Sequence, residues 1–229
     1  MRVLVINLAR RTDRRERMEN LLSAAKFTEW SFIDGLDAGQ MSCHPVSSLV
    51  SINRFCIWQS HVRAMQEIAD GQEEFGLILE DDAYLDPNLN WNALLPALET
   101  SVGRLRLDKL QIGHISAAYK VGSLRHKVLG KWGSRSSATV AVDLGTEARV
   151  ADLGVHRPGS HAYILSRSTA RLLPPLNNPT WASPDAFFDR IASASLEQGR
   201  IRMGSLRKSL VEQQSRTSHR SKIDSDNSA

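Results

Sequence analysis

At 229 residues and 25.5 kDa the chain fits one large domain or two small ones, and it is long enough to bury a sizeable core without a disulfide or metal staple. With 41% hydrophobic and 24% charged residues it is a globular sequence, not a wholly disordered one, and no apolar run is long enough to span a bilayer. Only Cys43 and Cys56 occur, too few for a secreted disulfide framework, and the apolar stretch at residues 2–8 is too short for a signal peptide, so the expected address is the cytoplasm.

The net charge of +4 is local. Residues 200–229 hold seven basic side chains (Arg200, Arg202, Arg207, Lys208, Arg216, Arg220, Lys222) against three acids, and residues 1–199 balance. The expected organisation is a single domain over residues 1–214, followed by a polar, basic and mobile tail at residues 215–229. Such a tail is a candidate contact for an anionic membrane, which would make the protein peripheral at the inner membrane surface, or for nucleic acid; a solvated tail without a partner is the plainer reading.

In chain order, residues 2–8 read as a buried strand. Asp13-Arg14-Arg15-Glu16 has the capping-box pattern, and Met18, Leu21, Leu22 and Ala25 follow at helical spacing. Residues 30–33 predict a strand ending at the Asp34-Gly35 turn, and Cys56, Ile57, His61, Ala64, Met65 and Ile68 mark a helix closed by Gly71. Residues 75–79 are the clearest central strand and run straight into Glu80-Asp81-Asp82. A helix over residues 89–99, a strand over 110–113 and a Gly/Ser-rich stretch with weak strand signals over 117–145 come next. A strand over 162–165 precedes a helix over 168–173 that Pro174-Pro175 should stop. Ser183-Pro184-Asp185 opens a last helix that Gly199 should end. Alternation of strands and helices predicts an α/β fold with a mostly parallel central sheet, helices on both faces, and ligands at the carboxyl ends of strands.

Three acids at such an end repel one another unless they stay solvated or hold a cation, and hard ions such as Mn²⁺ or Mg²⁺ prefer carboxylate oxygens. The alternative is a plain acidic turn. Arg11 and Arg14, between the first strand and first helix, are placed to fork onto phosphate; the alternative is a surface of ion pairs. Ser60 and His61 are helix neighbours about 100° apart and cannot form a nucleophile–base pair. His61 is either a satisfied core histidine or a ligand contact. Cys43, His44, Cys56 and His61 lack the paired spacing of a zinc site.

Ile6-Asn7-Leu8 followed by Arg11-Thr12-Asp13-Arg14-Arg15 resembles the N-terminal signature of glycosyltransferase family 25, the lipooligosaccharide galactosyltransferases and related collagen galactosyltransferases. Four further blocks agree in order: Phe32-Ile33-Asp34-Gly35; Ser60-His61 with Ala64; Leu77 through Ala83; and Gly159-Ser160-His161 through Ser166. Asp108 through Gly113 and Gln213-Gln214-Ser215 match more weakly. The chain departs from the family at Phe55-Cys56, where Gly-Cys is usual, and nothing is recognised between Tyr119 and His156. The resemblance implies a GT-A-type nucleotide-diphospho-sugar transferase fold and an inverting transfer of a hexose, foremost galactose from UDP-galactose, to a hydroxyl of a glycan such as lipooligosaccharide. In it Glu80-Asp81-Asp82 takes the place of the metal-binding DxD motif, with Asp82 and Glu80 as ligands of Mn²⁺ or Mg²⁺. Asn7, Arg11, Arg14, Asp34, Ser60, His61, Glu80, Asp81 and His161 become donor-binding candidates.

A separate carboxylate must take the acceptor proton. Asp185, in the first turn of the last helix and after the Gly159 block, is the expected base, and Asp189, one turn later on the same face, is its alternative. Locally, Asp185 is equally well read as a helix N-terminal charge. The competing classes are a sugar transferase acting on modified nucleic acid or protein and a non-enzymatic nucleic-acid-binding module using the early arginines and the tail.

Overall fold

A computed structural model describes residues 1–42, 49–115, 138–198 and 200–214. Among these, ten strands form one sheet in the order β2-β1-β3-β8-β5-β9-β7-β6, with β10 beside β5 and β4 beside β10. The strands are β1 (Arg2–Asn7), β2 (Ser31–Asp34), β3 (Phe75–Glu80), β4 (Ala83–Leu85), β5 (Lys109–Gly113), β6 (Thr139–Asp143), β7 (Ala148–Leu153), β8 (Ala162–Ser166), β9 (Met203–Leu206) and β10 (Val211–Gln213).

Helices cover both faces, as expected. Val3, Val5, Leu77, Leu79 and Ile164 pack under α1 (Thr12–Ala24) and α3 (Trp91–Arg104). The alternate residues Leu4, Ile78, Tyr163 and Leu165 pack under α2 (Ile52–Asp70), α4 (Arg167–Leu176) and α5 (Pro184–Gln198). The period of two along each strand thus separates two cores. At Gly76 the sheet comes so close to α2 that an added Cβ would lie 2.5 Å from Ile68.

The sheet is mixed where a mostly parallel one was expected. β2, β1 and β3 are parallel to one another, as are β5 and β9, but β8 runs antiparallel between β3 and β5, and the β6–β7 hairpin joins β9 antiparallel. Strand direction depends on the path of the connections, which local composition does not encode. This reversal positions the site. Because β8 runs backwards, its beginning, just after His161, arrives at the edge where β1, β2 and β3 end: Asn7 pairs with Asp34, Ile6 with Glu80, and Leu79 with Ala162.

Three local expectations are corrected. Helix α1 begins at Thr12 with Arg11 at its cap and no side-chain cap bond, so Asp13 lies inside the first turn and there is no capping box. Its carboxylate instead takes the Arg11 fork at 2.9 and 2.8 Å, which holds it well below the usual carboxylate range. Helix α4 runs through Pro174 and Pro175 to Leu176. The prolines fall in its last turn and forgo their N–H bonds to the carbonyls four residues back, a loss confined to the end of a helix whose Ala170 and Leu173 are buried. Helix α3 extends to Arg104 with Pro96 inside it. Strands β4, β7, β9 and β10 are additional to the elements expected. Gly199, the tail at residues 215–229 and most of the 117–145 stretch lie outside the described residues.

Candidate active site

The carboxyl edge of the sheet gathers the acidic triplet, α1 and the turn before β8. On the α1 side Asp81, 8% exposed, is fully engaged: Asn7 Nδ2 donates to Oδ2 at 2.9 Å, Arg14 donates to Oδ1 at 2.9 Å, and Arg17 donates to its backbone carbonyl. Asn7 Nδ2 also reaches the Arg11 carbonyl at 3.2 Å, joining the end of β1 to the start of α1. The sequence placed Arg11 and Arg14 against phosphate. In the fold Arg11 holds Asp13 and Arg14 holds Asp81, while Arg17, which the sequence reading did not single out, supports the same turn. Its position one turn after Arg14 on the helix was the available signal.

Asp82 is held differently. Its Oδ2 accepts from Gln213 Nε2 at 2.8 Å and its carbonyl from Gln214 N at 2.8 Å, because β10 pairs antiparallel with β4 directly after the triplet. Its Oδ1 is buried and has no hydrogen-bond partner among the described residues, and the same is true of Asn7 Oδ1. An orphaned buried carboxylate oxygen is costly unless something electropositive joins it. A hard cation would answer that need, and Asp82 is the residue that would hold it. Among the described residues no three His, Cys, Asp or Glu side chains share one centre, so the remaining ligands would have to be donor phosphate and water.

On the α2 side Glu80 Oε1 lies 3.2 Å from His61 Nε2, and His61 Nδ1 lies 2.9 Å from the Tyr163 hydroxyl. Burial pushes the Tyr163 phenol well above its ordinary value, so it stays a hydroxyl beside Nδ1, while Nε2 faces Glu80. His61 thus joins the core to the site. Ser60 points elsewhere: its hydroxyl donates to the Cys56 carbonyl at 2.7 Å and accepts from Leu36 N at 2.8 Å, fixing the loop after β2. Asp34 is exposed at the end of β2. His161 is fully buried, its Nε2 3.1 Å from the Val211 carbonyl, so its ring packs behind the edge; its own carbonyl accepts Glu80 N at 2.9 Å. Of the imagined zinc set, Cys43 and His44 lie outside the described residues, and Cys56 is buried with its thiol 3.2 Å from Met41 Sδ.

At the start of α5, Asp185 receives Gly159 N at 3.1 Å, the Ser160 hydroxyl, and His156 Nε2 at 3.5 Å. Gly159 has φ +99°, a backbone that favours glycine, and this lets the turn offer its N–H to the carboxylate. Although burial works against it, this ring of donors lowers the Asp185 pKa to about 2. Burial and the nearby Asp185 charge push Asp189 the other way, upward. The two carboxylates one turn apart are therefore unequal bases.

The family model for glycosyltransferase family 25, described as an LPS biosynthesis protein, matches residues 1–187. No curated protein matches the chain. Among solved structures, a glycosyltransferase involved in the glycosylation of the major capsid of PBCV-1 is similar with a TM-score of 0.51 at 10% identity, covering 94% of this chain and 93% of that one. That likeness is one of fold, and it agrees with a GT-A-like α/β architecture. On the match over residues 1–187, the chain belongs to glycosyltransferase family 25 and is a glycosyltransferase.

Proposed function

We propose that this transferase is metal-dependent and inverting, and that it moves a hexose, foremost galactose from UDP-galactose, to a hydroxyl of a glycan acceptor such as lipooligosaccharide. The observation that carries the metal is Asp82 Oδ1, buried without a partner among the described residues at the carboxyl edge of β3. The sugar and its carrier rest on the sequence resemblance, and the glycan acceptor on the family's description. A cytoplasmic protein with its basic tail against an anionic membrane fits that reading. No helix among the described residues is long and apolar enough to cross a membrane.

Asp82, with Glu80 beside it, would hold Mn²⁺ or Mg²⁺, and the bound ion would neutralise charge on the departing diphosphate. Asn7, Arg14 and Arg17 keep Asp81 and the turn that aims Asp82 in place. The acceptor oxygen attacks the anomeric carbon as the bond to UDP breaks, and its proton passes to a carboxylate on the first turns of α5. The sequence favoured Asp185 for this. A carboxylate that already takes three donors is a weak base, so we assign the proton to Asp189 and the ordering of the 156–160 turn to Asp185. The nucleic-acid-binding alternative has little left to use in the early arginines, since Arg10 pairs with Asp37, Arg11 with Asp13, Arg14 with Asp81 and Arg15 with Glu19.

A donor screen by UDP release, with and without Mn²⁺, tests the reading. Release should need the ion, should be fastest with UDP-galactose, and should vanish in Asp82→Asn while the circular dichroism spectrum is kept. Metal-independent release, or a fully active Asp82→Asn, would overturn the metal assignment.

A further inference from the structure

Lys109 opens β5 with its side chain inside the protein, the residue only 1% exposed, where a charge is costly unless well partnered. Nζ lies 4.7 Å from the Tyr163 ring centroid and 4.4 Å from that of Phe188. Its hydrogen bond goes to His156 Nδ1 at 3.1 Å. The far side of that imidazole, Nε2, faces Asp185 Oδ1 and the Ser160 hydroxyl, each at 3.5 Å. The ionisable groups around the lysine are therefore Tyr163 from β8, His156 from the turn before β8 and Asp185 from α5, with His114 further off beyond His156.

An ammonium can only donate, so His156 Nδ1 must accept, and the one proton of a neutral ring then sits on Nε2, directed at the carboxylate. We propose that Lys109 is a positioning residue for the acceptor side of the site, holding His156 as a neutral Nε2–H donor that orients Asp185 and the turn carrying Gly159 and Ser160. Burial first, and then the Lys109 charge, push His156 down to about 3, whereas Asp185 works to raise it. Without the lysine the ring loses its Nδ1 anchor and one of the two causes that hold it down, so its midpoint moves upward and Asp185 and the turn are held less firmly. The inference rests on the reading of α5 as the acceptor side, but its first test needs no substrate.

In the full chain labelled with ¹⁵N-histidine, His156 should be neutral with its proton on Nε2 from about pH 5 to about pH 7, the range in which Lys109 is an ammonium. In Lys109→Met, which keeps the volume and removes a buried charge, its titration midpoint should rise by at least about one pH unit. Transfer by this variant should lose about tenfold in kcat, the scale of an outer positioning group, with an unchanged KM for the sugar nucleotide. A wild-type His156 that carries its proton on Nδ1 or is an imidazolium in that range would overturn the role assigned to Lys109, as would identical titrations in the two proteins. The wild-type spectrum decides the tautomer even if the variant does not fold. Absence of UDP-sugar turnover in the wild type would instead overturn the proposed reaction and leave the titration result standing.

Discussion

Arg14→Ala removes one of the two side chains that hold the Asp81 carboxylate. The Arg14 to Asp81 contact is 2.9 Å, with Asp81 nearly buried and the Arg14 side chain 26% exposed. Two unit charges about 4 Å apart attract by about 4 kcal/mol at the effective dielectric of a protein surface. Partial exposure of Arg14 and the remaining Asn7 bond reduce the loss to about 2 kcal/mol. For a chain of this size that is a fall of roughly 4–8 °C in Tm. Asp81→Asn removes the same attraction from the other side, so the double variant should be less destabilised than the sum of the singles by at least about 1 kcal/mol. Thermal and urea unfolding of the four proteins measure this coupling, which should persist at high salt because the pair is largely shielded from solvent. Strictly additive losses, or an Arg14→Ala protein with the wild-type Tm, would refute the claim that this pair fixes the acidic turn.

Asp189→Asn should lower transfer by about a hundredfold or more while keeping the affinity for UDP-sugar, and Asp185→Asn should cost less in kcat but more in Tm; the reverse order in steady-state assays would return the base to Asp185. Burial brings Lys109 down to about 7, so above that pH the unfolded chain holds the extra proton and stability should rise with pH between about pH 7 and pH 9.5. Urea titrations across that window should show the rise in the wild type and not in Lys109→Met, and equal slopes would contradict a buried charge. Gly113→Ala would bring a Cβ within 2.7 Å of Ala162 Cβ and 2.8 Å of His161 Nε2, so it should destabilise by about 1–3 kcal/mol and slow UDP release through the His161 to Glu80 backbone bond; a neutral Tm would show that this edge can relax.

The apolar runs of β1, β3 and β8 and the spacing of Met18 with Leu22 were legible in the sequence, because strand and helix periods are local properties of a chain. So was the acidic triplet, since a strand that ends in three carboxylates stands out by composition alone. Partner choice was not legible. Arg11 and Arg14 read as phosphate contacts, and their partners Asp13 and Asp81 were not foreseen; an ion pair across 67 positions leaves no local trace. His161 sits in a family-like block, yet its ring turns into the core because β10 closes over it. Lys109 and His156, 47 positions apart, read in the sequence as a residue just before a short strand and an unassigned histidine. Only the reversed strand β8 brings the turn before it to the carboxyl edge, between the acidic triplet and the first turn of α5. The direction of that strand is decided by how the chain returns through the sheet, and in the finished packing it determines which acids stay charged, which are raised, and which oxygen is left without a partner among the described residues.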